Sequence, residues 1–176
     1  MNTLRNTIIA LLIALYFILD PHKAGYTHTS QLYTHITYIF AHANLFHLIT
    51  NLIAFFFAWR ILAKLNIIKE SIITSLLSAI LASFVHCSLF IVHSKAPTVG
   101  ASGAIYAMIA APIAGILAKR LKITNRNLFV KSYTCIAIAT AIQLLIPNIN
   151  TTIHIASFLI NIPLLFTYYK IKQLCD

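Results

Sequence analysis

Six apolar stretches, each close to the length that crosses a lipid bilayer, constrain this chain more than any other feature. They are Thr3–Leu19, Asn44–Leu62, Ser71–Val92, Val99–Ala118, Leu128–Ile146 and Thr151–Tyr169. A spanning helix needs about 20 mostly apolar residues. In hydrocarbon each backbone N–H and C=O must be satisfied inside the segment, which makes helices of such runs. Charged residues make up 9% of the chain and hydrophobic ones 60%, whereas a soluble domain carries about 25% charged residues. The 176 residues lack the polar surface of a water-soluble fold of their size. The expectation is an all-α membrane protein, a bundle of six transmembrane helices forming a single domain over residues 1–176. Arg5 ahead of an apolar stretch is reminiscent of a signal peptide. No small-x-small cleavage pattern follows, only "DPHKAGY", so the run reads as a retained helix.

The net charge is +10. Such a balance raises nucleic-acid binding, but the basic residues punctuate the apolar runs instead of clustering, which reads as a topology signal. Only Lys23 and Lys95 fall in one set of alternate connections. The other set holds Arg5, then Arg60, Lys64 and Lys69, then Lys119, Arg120, Lys122, Arg126 and Lys131, then Lys170 and Lys172. The positive-inside rule puts both termini in the cytoplasm. The long Asp20–Ala43 connection, the Lys95 loop and the "PNIN" turn then face outward. The long connection is only weakly polar ("LYTHITYIF"), so part of it is expected at the membrane interface. Cys87, Cys135 and Cys175 are odd in number and lack C-x-x-C spacing, which gives neither a disulfide framework nor a zinc module.

Polar side chains within spans are costly and mark function by default. His42, His47 and Asn51 surround the start of the second run, Ser102 opens the fourth, and His154 opens the sixth. With both termini inside, three separate segments deliver these groups to one outward depth. His47 and Asn51 are four apart and share a helix face, as do Ser102 and Tyr106. His42 and His47 are five apart and diverge by about 140° if both are helical, which weakens a metal or haem reading. A site made of His47, His154 and a third group stays open on spacing. In "TVGASGAIYAM", Gly100 and Gly103 flank a serine at a helix start, where the first N–H groups lack internal partners. A nucleophile beside free donors is what acyl transfer requires. His154 is the candidate base. Asp20, Glu70 and Asp176 are the only acids, and none is linked by motif to His154, so a Ser–His dyad is the economical reading. His47 and Asn51 would add donors for the oxyanion.

At these residues the sequence resembles the rhomboid family of intramembrane serine proteases. The pattern H-x4-H-x3-N matches "HANLFHLITN", His42 to Asn51. G-x-S-G matches "GASG", Gly100 to Gly103. Tyr106 matches the tyrosine four residues after the serine, and His154 the histidine near the start of the sixth helix. The resemblance covers about Gln31 to Tyr169. It implies that Ser102 is the nucleophile and His154 the general base, then acid. His47, Asn51 and the Ser102 N–H would hold the oxyanion. Tyr106 would pack under the His154 ring and wall the substrate pocket, and His42 would tie the outer loop to the site. The fifth helix and "PNIN" turn would gate substrate access against the second helix, near Phe55, Phe56, Phe57 and Trp59. Ile153 and Ser157 stand where the family often has Ala and Gly. Tyr33-Thr34 replace the Trp-Arg pair common in bacterial members.

Other polar positions have plainer readings. His22, His28, His35, His86 and His93 fit interfacial residues. Asn161 and Gln143 fit interhelical hydrogen bonds. Phe55 to Trp59 fit lipid-facing bulk, and Pro112 and Pro163 fit helix kinks. The leading expectation is a serine endopeptidase cleaving transmembrane segments of other proteins, with no cofactor, no metal and no nucleic acid. It would sit as a multi-pass protein in the lipid bilayer of a bacterial cytoplasmic (inner) membrane, its active site facing the outer side. A catalytically inactive relative that binds transmembrane clients is the alternative. A multi-histidine metal or haem protein is a distant third.

Overall fold

The structure, a computed structural model, describes residues 2–89, 96–122, 127, 129–131, 133, 134, 137, 138, 141 and 150–175. The labelled helices are α1 (Asn2–Ile18), α2 (Pro21–Ala24), α3 (Thr34–Thr37), α4 (Leu45–Lys64), α5 (Ile68–Leu89), α6 (Ser102–Leu117) and α7 (Thr151–Cys175). The described residues between 127 and 141 are also helical. Among the described residues the only β pairing is an isolated antiparallel bridge between Tyr26 and Thr98. Among the described residues three helices are long and apolar enough to cross a membrane: Leu45–Lys64, Ile68–Ser88 and Thr151–Cys175. Asn2–Ile18 and Ser102–Leu117 are shorter apolar helices. Most of the expected Leu128–Ile146 span, together with Lys95, His93, Cys135, Gln143 and Pro147–Ile149, lies outside the described residues.

Local chemistry sets the boundaries. The Asn44 side chain accepts the His47 N–H at 2.8 Å and caps α4, since an N-cap oxygen satisfies an orphan donor of the first turn. Asp20 caps α2 in the same way, with Pro21 at its first position. The Asn150 side chain accepts the Ile153 N–H at 3.3 Å ahead of α7. The fourth span departs from the reading of Val99–Ala118. Gly100 has φ +123° and Val99 and Gly100 are non-helical, so the helix opens only at Ser102. Its 16 residues cover about 24 Å, less than the roughly 30 Å hydrocarbon core. The other end is held to α7 by Gln173 Nε2 donating to the Ala118 carbonyl at 3.2 Å. α5 begins at Ile68, before Ser71, and α7 runs past Tyr169 to Cys175.

α6 is the central helix. It packs on α7, α5 and α4, and Ala107, Ala110, Ala111 and Ala114 are fully buried along it. Small side chains let membrane helices approach closely, where van der Waals contact is the main adhesion. Asn161 is the polar fastening that its place in a span implies. Its Nδ2 donates to the Ala107 carbonyl at 2.6 Å, and its Oδ1 accepts from Ser78 at 3.2 Å, joining α7 to α6 and α5. Phe55 and Trp59 correct the lipid-facing reading: both are buried, with Trp59 among the largest enclosed side chains. They lie four apart, on the stripe of α4 turned inward, while Phe56 keeps the exposed position.

Candidate active site

α6 and α7 lie side by side, and their first turns bring Ser102 and His154 together. Ser102 Oγ is 2.7 Å from His154 Nε2, within hydrogen-bond distance. Both residues are buried, 6% and 5% exposed. The Tyr106 ring stacks on the imidazole, centroids 4.5 Å apart and planes within 6°. One turn of helix separates Tyr106 from Ser102, so the tyrosine supports the imidazole that meets the serine.

The approach to the serine is shaped by Gly100. Its N–H donates to the Tyr38 carbonyl at 2.8 Å, holding the segment against the outer loop. A Cβ here would lie 2.8 Å from His47 Nε2 and 3.4 Å from Asn51 Nδ2. Two side chains of α4 therefore converge on the backbone leading into Ser102, as their shared helix face implies. Asn51 is enclosed, and its Nδ2 has no hydrogen-bond partner among the described residues. A buried donor left unpaired costs about 1–3 kcal/mol, so this amide is a donor waiting for an acceptor. The first N–H groups of α6 are unpaired within the helix by construction. The structure thus brings a hydroxyl, an imidazole and an unpaired amide donor to the segment Gly100–Ser102.

Gly103 faces α7. A Cβ on it would come within 3.1 Å of Ser157 Oγ and 3.4 Å of the Tyr38 hydroxyl. Serine at 157 is fully buried, and the helices still close to the 2.7 Å contact. Ile153 is likewise enclosed beside it.

His42 lies before the capped start of α4 and not on the helix. The divergence expected of two helical histidines does not apply: the His42 and His47 rings meet edge to face with centroids 5.3 Å apart. Burial, then the neighbouring His47, push the His42 imidazole down to about 4, outweighing the Phe40 backbone carbonyl that favours its charged form.

His35 and His86 do not face the surroundings. Both are buried and fasten the outer loop. His35 Nδ1 is 2.9 Å from Ser83 Oγ, and its ring stacks between Phe84 and Tyr26. The Tyr26 hydroxyl is 3.3 Å from His86 Nδ1. The Tyr38 hydroxyl donates to the Ala79 carbonyl at 2.8 Å. Thr34 is buried and bonds the Gln31 carbonyl and Ser30, while Tyr33 is exposed. His22 and His28 are exposed.

Tyr26, Tyr38 and Asn150 were not singled out by the sequence reading. Asn150 Nδ2 reaches His86 Nε2 at 3.1 Å and Thr98 Oγ1 at 3.0 Å. The available signal was its place immediately before an apolar helical run, where Asn commonly caps.

A search among curated proteins finds no match to this chain. A family model described as the Rhomboid domain matches residues 29–171. That stretch takes in the outer loop, α3 to α6 and most of α7, and with it each of the groups gathered around Ser102: the chain belongs to the rhomboid family.

Proposed function

We propose that this protein is an intramembrane serine endopeptidase that cleaves transmembrane segments of other membrane proteins with a Ser102–His154 dyad. The observation that carries this reading is the 2.7 Å contact between Ser102 Oγ and His154 Nε2. Nothing in helix packing requires a hydroxyl and an imidazole to meet there.

In the proposed reaction His154 Nε2 takes the Ser102 proton as Oγ attacks the scissile carbonyl carbon. The carbonyl oxygen becomes an oxyanion, held by Asn51 Nδ2, the His47 ring and the Ser102 N–H. His154 then returns the proton to the leaving amine, and the peptide C–N bond breaks to leave an acyl-enzyme. Water, deprotonated by the same imidazole, releases the new carboxylate and restores the hydroxyl. Preorganised donors in a dry site are worth far more than in water. The outward-facing site, six spans and cytoplasmic termini in a bacterial inner membrane belong to the same reading, supported by the distribution of basic residues.

The test is a fluorophosphonate probe on the purified full chain, paired with cleavage of a helix-destabilised transmembrane reporter. Labelling of Ser102, with both signals lost in Ser102→Ala, is the expected result. Reporter cleavage undiminished in Ser102→Ala would reject the dyad. A folded wild-type chain that neither labels nor cleaves would favour a client-binding relative instead.

A further inference from the structure

Phe56 on α4 lies beside two guanidinium groups. Arg5 Cζ is 5.2 Å from the ring centroid and Arg60 Cζ is 5.9 Å from it. Arg5 comes from the first turns of α1 and Arg60 from the last turns of α4, so both stand at the same end of the bundle. The acids do not neutralise them. Among the described residues Asp20 is bound at the far end of α1, where it caps α2, and Glu70 lies in the first turn of α5. Arg5 bonds only the amide oxygen of its neighbour Asn6, at 3.1 and 3.2 Å, among the described residues. Arg60 is exposed.

From Phe56 an open apolar groove runs between α1 and α4, lined by Ile9, Ile49, Leu52, Ile53, Phe56 and Phe57. From Arg60 back to Ile49 it follows about 16 Å of helix. That is the depth of one leaflet, half of the roughly 30 Å core. An acyl chain fits the apolar length. A lone acyl chain makes no use of the two arginines, whereas a phosphate diester accepts from such forks with good geometry.

We propose that this groove is a binding site for one anionic phospholipid, its phosphate held by Arg5 and Arg60 and one acyl chain laid along Ile9, Ile53 and Ile49. The inference does not depend on catalysis at Ser102.

The experiment is native mass spectrometry of the purified full chain in detergent, titrated with dioleoyl phosphatidylglycerol or with dioleoyl phosphatidylcholine. Phosphatidylglycerol should be retained roughly 25-fold better, since each of the two basic groups at an anionic surface contributes about fivefold. Arg5→Gln with Arg60→Gln should remove that preference. Ile53→Trp, filling the groove from an exposed position, should lower retention of both lipids. Lys170→Gln with Lys172→Gln, on α7 at the same basic end, should leave the preference intact. If the double arginine variant fails to fold, Arg60→Gln alone should still lose several-fold. Preference that survives the arginine changes, or falls equally in the lysine control, overturns the site in favour of diffuse charge attraction.

Discussion

Gly100 is the residue on which the approach to the nucleophile turns. Its positive φ lies where L side chains are strained by about 1–2 kcal/mol, and any Cβ would strike the His47 ring. Gly100→Ala should therefore lower the thermal midpoint and abolish reporter cleavage together. Asn51→Ala separates the two effects. It removes one unpaired donor from the site, so kcat for reporter cleavage should fall by about 10²–10³, with the midpoint nearly unchanged. A fall below tenfold would remove Asn51 from the oxyanion role. Ser157 carries a buried hydroxyl with no hydrogen-bond partner among the described residues. Ser157→Ala should stabilise the chain by about 1 kcal/mol and preserve activity, read by thermal unfolding and reporter cleavage. The groups around Ser102 were legible in the sequence because they sit at helical spacings, four residues apart on α4 and α6. Those spacings translate directly into shared faces.

At the scale of elements, the outer loop is the part the sequence left unread. Helical periodicity says nothing about a connection with two helices of four residues each. Its anchors, His35, Tyr38 and Tyr26, reach partners 41 to 60 residues away, a separation that no local pattern encodes. Burial also holds the His35 imidazole below its ordinary value, in the same direction as His42. For both rings the unfolded loop binds protons more readily than the docked one, so docking is fully favourable above about pH 6.5. It weakens as pH falls from there toward 4, the value to which His42 is held. Hydrogen exchange across residues 26–42 should accelerate, relative to intrinsic rates, between pH 7 and pH 5. His42→Leu should flatten part of that dependence, and an identical profile in this variant would take His42 out of the account.

For the whole molecule, membrane character and the family were readable from apolar run length, two short motifs and the matching positions of Tyr106 and His154. The ends of the spans were less so, because capping and a single glycine dihedral moved them by several residues. The proposed orientation rests on the basic residues alone and is tested by impermeant thiol labelling in cells, in a background with the native cysteines replaced. Cysteine at exposed His22 should react from outside, and cysteine at exposed Lys172 only after permeabilisation; the reverse pattern would invert the chain. The flat stack of Tyr106 on His154 leaves the imidazole one plane to lie in. The ring nitrogen that faces Ser102 is therefore aimed by a neighbour on the same helix as the serine itself.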